Sequence, residues 1–145
     1  QLLRHRSFSF QEFSQRYADV EELEFPTPPD LRLQDPSNRQ NSIDNLDSDK
    51  KRSLECVIYS NYLHTYDLYK NLLKDGIAKE CAREILPMGT PTRLYMNGTL
   101  RSWIHYCDLR CGNGTQKEHR AIALDIKQLI KQNYPQVYEV ISRFG

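Results

Sequence analysis

Three groups of side chains in this 145-residue sequence have the types and spacing to do chemistry. The first is Arg4-His5-Arg6, followed by Glu12, Ser14 and Arg16. Two arginines around a histidine, just ahead of a helix start, make an anion site. Guanidinium forks match phosphate oxygens, and a helix N-terminus adds free N–H donors and a favourable dipole. With Glu12 and Arg16 four apart on one helical face and Ser14 on another, the plainer reading is a solvated basic turn with one ion pair. The second group surrounds Arg83 in Cys81-Ala82-Arg83-Glu84-Ile85-Leu86-Pro87. An arginine among apolar residues needs an acceptor, and Glu80 or Glu84 could serve structurally. The third runs from Arg101 to Arg110, with His105 one helical turn after Arg101 and Arg110 beside the Gly112-Asn113-Gly114 turn. Cationic forks are many and candidate nucleophiles few. That balance suits binding of phosphorylated, planar ligands and steering of charge in a reaction carried by a cofactor.

The elements that must position these groups follow from local signals. Ser9-Phe10-Gln11-Glu12 has capping-box spacing and predicts a short helix from about Phe10 to Ala18. From about Asp47 to Lys74 apolar residues recur as Leu54, Ile58, Tyr62, Tyr66, Tyr69 and Leu73, an amphipathic helix closed by Asp75-Gly76. A further helix is expected from about Ala78 to Leu86, stopped by Pro87. Thr92 to Met96 is the best strand candidate, with Asn97-Gly98 turning the chain. Thr99 can cap a helix over Leu100–Arg110. Thr115-Gln116-Lys117-Glu118 is a second capping box, opening a helix to about Gln132, and Pro135 precedes a short last one.

The size, 145 residues and 17.1 kDa, provides for one domain with a core, so residues 1–145 read as a single domain. A formal charge of +1 excludes a generally basic, polyanion-coating protein. No apolar run approaches the ~20 residues that span a bilayer. Charge is nonetheless uneven: between Asp19 and Asp49 nine acids face two arginines. Pro26, Pro28, Pro29 and Pro36 fall in the same stretch, so residues 19–46 read as an acidic, Pro-containing loop.

Cys56, Cys81, Cys107 and Cys111 are even in number, and Asn97-Gly98-Thr99 and Asn113-Gly114-Thr115 are glycosylation sequons. A secreted disulfide protein is one reading of these features. Both sequons, however, look like turns ending in a helix N-cap, and the two-residue spacings of zinc sites are missing. Free, mostly buried thiols, no metal and a cytoplasmic setting are the expectation.

The segment Arg4-His5-Arg6, seven residues, then Ser14 resembles the signature of flavin-dependent thymidylate synthases. Ser9, Glu12, Arg16 and Tyr17 also sit where that family's longer motif has them. Ala82-Arg83 before Leu86-Pro87, Leu100-Arg101-Ser102, Leu109-Arg110, Gln116 and Glu118 resemble its later blocks. Gln11 departs from the Asn of many relatives, as does Thr99 from the Asn of some, with Asn97 two residues away.

The resemblance implies reductive methylation of dUMP to dTMP. Methylenetetrahydrofolate would supply the carbon, NADPH the electrons, and bound FAD would mediate. Arg4, His5, Arg6, Glu12, Thr99, Arg101 and His105 would contact FAD. Gln1, Arg4, Glu12, Ser14, Gln15, Arg16, Arg83 and Arg110 would contact dUMP. Arg110 would be catalytic, stabilising the N3-deprotonated, electron-rich uracil, and no covalent nucleophile is assigned. The implied fold is α+β, a helix-rich subunit with a small antiparallel sheet. Most of that sheet is expected from an N-terminal region before the motif, either in a longer chain or as a separate one. A homotetramer with shared active sites is also implied, with no nucleic acid and no membrane. The alternative is a non-catalytic nucleotide- or RNA-binding module using the same arginines and tyrosines, whose binding would weaken steeply with salt.

Overall fold

In the computed structural model, residues 1–18, 20 and 23–142 are described, the side chains of 140–142 excepted. They form strands β1 (Ser9–Glu12), β2 (Leu33–Gln34), β3 (Ser42–Ile43) and β4 (Leu94–Asn97). The helices are α1 (Ser48–Lys74), α2 (Lys79–Ala82), α3 (Leu100–Arg110), α4 (Lys117–Asn133) and α5 (Pro135–Ser142). β1 pairs with β4 and β2 with β3. The architecture is α+β, helix-rich with small antiparallel pairs.

The chain gathers into two compact units. One holds Gln1–Phe10, Gln34–Ser42 and the chain from Met96 onward; the other holds Gln11–Leu33 and Ile43–Tyr95. In the first, Phe8, Tyr106, Cys107, Ala123 and Ile130 form the core, with Leu2, Phe10, Met96, Leu100, Trp103 and Ile126 against it. Phe8 meets Trp103 edge-on at 4.6 Å. Gly98 is needed here, because a Cβ on it would stand 2.5 Å from the Phe8 ring. α3 begins as its sequence predicts, with Thr99 Oγ1 accepting from the Ser102 N–H at 3.3 Å. In α4 the N-cap is Gln116, one residue after the Thr115 that the capping box expects, and it makes no side-chain capping bond.

In the second unit Asp47 caps α1 by accepting from the Lys50 N–H at 2.9 Å. Gly76, at φ 82, turns the chain just past the helix end. Tyr66 and Tyr69 of α1 are buried with Val20 and Ala82, against Leu72, Leu73, Ile85 and Leu86.

Two helix expectations are corrected. Residues 10–18 are not helical: β1 is extended through Glu12, and only a turn follows, with Tyr17 and Ala18 N–H donating to the Ser14 carbonyl. The alternation Phe8-Ser9-Phe10 puts both rings on one side of an extended chain, so burial of two aromatics plus strand pairing outweighs one local capping bond. The helix over 78–86 is also broken, into α2 and a 3-10 turn Arg83–Ile85. Pro87 forces Leu86 to extended geometry (ψ 139), which tightens the preceding turn. The β4 strand lies at Leu94–Asn97, shifted from the expected 92–96.

From residue 30 on, the acidic stretch is more ordered than a plain loop. Its β2–β3 hairpin is closed by Asp35, whose carboxylate accepts from Ser37 N and Oγ, Asn38 N and Asn41 Nδ2. Those donors hold the carboxyl down at about 2, the Ser37 hydroxyl most of all. Asp30 accepts from both Arg32 and Lys51.

Candidate functional site

The predicted residues divide between the units. In the first, Arg110 ends α3, with its Nε donating to His5 Nε2 at 2.9 Å and its Nη2 to the Gln1 carbonyl at 3.5 Å. An arginine N–H can only donate, so the His5 Nε2 is bare and its proton sits on Nδ1. Burial, then the Arg110 charge, then His105 hold the His5 pKa below its ordinary value, keeping the ring neutral. His5 also stands edge-on to Tyr106, ring centres 5.0 Å apart. Arg4, Arg6 and Arg101 are exposed and make no ion pair among the described residues. Arg101 and His105 lie one turn apart on the same helix, as their spacing predicts. Thr99 spends its hydroxyl on the α3 cap and on Ser102 Oγ at 3.0 Å.

In the second unit Glu12, Phe13, Ser14, Gln15 and Arg83 line one cavity of about 330 Å³. β1 presents Glu12; the turn after it presents Ser14 and Gln15; the 3-10 turn presents Arg83. Glu12 Oε1 accepts from Thr92 Oγ1 at 3.0 Å, which leaves Oε2 for a ligand. The Arg83 Nε lies 4.0 Å from Glu84, too long for a hydrogen bond, so its fork remains available to an anion. A carboxylate, a hydroxyl, an amide and a guanidinium around one hollow can hold a ligand with both an anionic group and N–H or O–H donors.

Arg16 is not among the lining residues. It pairs with Glu80 at 2.8 Å and lies over the Tyr17 ring at 5.4 Å. The expected Glu12–Arg16 helical pair therefore does not form, because β1 is a strand. Nor does Arg83 pair with Glu80, which Arg16 occupies. A larger hollow of about 580 Å³ in the first unit is lined by Leu100, Trp103, Ile126, Ile130 and neighbours, and holds no predicted site residue.

Three residues escaped the sequence reading. His119 contacts Gln1 Oε1 through Nδ1 and the Tyr106 hydroxyl through Nε2, both at 2.9 Å. No spacing rule links Gln1, Tyr106 and His119; a lone histidine two residues from a helix start was the only signal. Thr92 is the third, and nothing in its surroundings marks it. The thiols also differ from expectation. All four are free, but Cys56 and Cys81 are exposed, and only Cys107 is buried. Burial pushes the Cys107 thiol up to about 12, so it is no nucleophile. Among the described residues no group of three His, Cys, Asp or Glu could hold a metal, and no helix is long and apolar enough to cross a membrane.

The family model described as thymidylate synthase complementing protein matches residues 1–136. The chain is 48% identical over 142 residues to a probable flavin-dependent thymidylate synthase of Paramecium bursaria Chlorella virus 1, covering 98% of this chain and 65% of that protein. It is 50% identical over 137 residues to the flavin-dependent thymidylate synthase of Synechocystis sp., covering 94% and 62%. The chain thus spans just under two thirds of the length of these relatives. Among solved structures it is similar to the UMP/dUMP methylase PolB from Streptomyces cacaoi bound with 5-Br UMP. The TM-score is 0.86 at 27% identity, over 99% of this chain and 68% of that one.

Proposed function

We propose a function from one premise: the chain belongs to the thymidylate synthase complementing protein family, the flavin-dependent thymidylate synthases. Its reaction is the reductive methylation of dUMP to dTMP, with methylenetetrahydrofolate and NADPH as co-substrates and FAD bound. The observation that carries this reading is the shared cavity of Glu12, Ser14, Gln15 and Arg83, four residues assigned to dUMP that come from two distant stretches of sequence. Arg83 and the Ser14 hydroxyl bind the phosphate, and Glu12, steadied by Thr92, accepts from the sugar or base. Arg16 contributes to phosphate binding only by leaving Glu80. Gln1 and Arg4 complete the contacts to dUMP.

Arg4, Arg6 and Arg101, exposed and without ion pairs among the described residues, fit the pyrophosphate of FAD, with His5, Glu12, Thr99 and His105 along the nucleotide. The flavin, when bound, accepts and passes on the electrons of the reduction. Arg110 stabilises negative charge at N3 and O4 of the uracil, which makes C5 nucleophilic. No covalent nucleophile is assigned: Ser14 has no basic side chain bonded to it among the described residues, and burial keeps Cys107 protonated.

The active form is a homotetramer sharing its sites. Exposed Leu54, Val57 and Leu68 on one side of α1 supply apolar surface for such contacts. Free thiols suit a cytoplasmic setting. Relatives give the RNA-binding module no support.

Tritium release from [5-³H]dUMP, with FAD, NADPH and methylenetetrahydrofolate present and then each omitted, tests the reading. Release that requires FAD is expected; in the complete protein, release without FAD or none at all overturns it. Light scattering should give four times the chain mass, and a one-chain mass rejects the tetramer.

A further inference from the structure

His119 belongs to no role assigned above, yet it is buried at 8% exposure and bonded on both ring nitrogens. The Gln1 Oε1 can only accept, so the proton at that contact is on His119 Nδ1. Burial and the Arg110 charge disfavour a second proton, which leaves Nε2 bare to accept from the Tyr106 hydroxyl. Tyr106 itself is fully buried, and its phenol is pushed up to about 12 by burial, so it stays a donor. The main-chain carbonyl of the same Gln1 accepts a hydrogen bond from Arg110 Nη2, while His5 Nε2 accepts one from Arg110 Nε. Two of the guanidinium's five N–H groups are thereby engaged, which leaves the others for a ligand.

We propose that His119 is a positioning residue for Arg110: held between Tyr106 and Gln1, it sets the Gln1 carbonyl that, with His5, aims the guanidinium. Other α4 contacts to α3 do not explain its second bond. Arg120 Nε donates to the Cys111 carbonyl at 2.9 Å and Cys107 Sγ to the Ala123 carbonyl at 3.8 Å, both tying helix to helix. His119 reaches back to Gln1, the residue that also touches Arg110, at 2.9 Å, shorter than the 3.4 Å from Gln1 Nε2 to Gln116 Oε1 at the start of α4. The proposal rests on the role given to Arg110 under the proposed function.

The test uses the complete FAD-loaded protein and its His119→Leu, His119→Asn and Tyr106→Phe variants. In wild type, ¹⁵N NMR should find the His119 proton on Nδ1. His119→Leu should lower kcat for tritium release by roughly tenfold to a hundredfold with little change in KM for dUMP or in flavin loading, the signature of a misaimed group acting on developing charge. His119→Asn, which keeps an N–H toward Gln1, should recover most of that loss. Tyr106→Phe should lower kcat several-fold. Unchanged kcat in His119→Leu, equal losses in the Asn and Leu variants, or a wild-type proton on Nε2 overturns the proposal. If neither His119 variant folds, the wild-type tautomer and Tyr106→Phe decide, with an unaltered kcat counting against. Wild type that releases no tritium overturns the functional reading instead, and the tautomer still reports on the hydrogen-bonded chain.

Discussion

Arg110 is half-buried at a helix end, with His5 and Gln1 using two of its N–H groups. A guanidinium so held needs no reorganisation when charge develops on the base, which is where fixed donors contribute most. Arg110→Ala should therefore reduce tritium release by about a hundredfold or more while FAD binding, followed by flavin absorbance, changes little. Full turnover in that variant would remove Arg110 from the catalytic role. Glu12 makes a smaller case. Its Oε1 is tethered by Thr92 at 3.0 Å, and both side chains are exposed. Thr92→Val should cost roughly 1 kcal/mol, about a fivefold rise in Kd for dUMP by calorimetry. No rise would mean that Glu12 is oriented by the ligand itself.

At the scale of elements, α3 carries Arg101, His105 and Arg110 on eleven residues, and its start depends on Thr99. The same hydroxyl is assigned to FAD, yet it already accepts from Ser102 N and bonds Ser102 Oγ. Thr99→Ala should thus lower stability by about 1 kcal/mol in urea titrations, and Thr99→Ser should restore it. If flavin affinity falls in the alanine variant with stability unchanged, the contact to FAD matters more than the cap. α4 shows the opposite case, a helix that begins without a side-chain cap and relies on Ala123 and Ile130 packed in the core.

At the scale of the molecule, two buried histidines make stability depend on pH. His5 and His119 both have folded pKa values below their ordinary 6.5, burial being the first cause in each. Between the folded value and 6.5 the unfolded chain binds protons that the folded chain refuses. Stability is therefore complete above 6.5 and falls as pH drops through that point toward the folded values. Urea midpoints measured from about pH 7.5 down to about pH 5 should decline, and a His5→Gln, His119→Asn double variant should decline less. A flat wild-type profile would mean that neither ring is held neutral. Asp35 does not interfere in this window, since it titrates near 2.

What could be read from the sequence was what neighbours within a helical turn decide. Asp47 and Gly76 bound α1, and Thr99 to Arg110 delimit α3, because caps and left-handed turns act over three or four residues. The motif from Arg4-His5-Arg6 to Ser14, by which the chain resembles its family, was likewise legible by type and spacing. The tertiary structure decided everything that joins distant stretches. The local capping box at Ser9 lost to pairing of β1 with β4, since burying Phe8 and Phe10 gains more than one exposed hydrogen bond. Thr92 beside Glu12, Glu80 against Arg16, and His119 between Tyr106 and Gln1 are partners 13 to 118 residues apart. No periodicity encodes such contacts, because only packing sets the distance between side chains whose backbones are far apart in sequence.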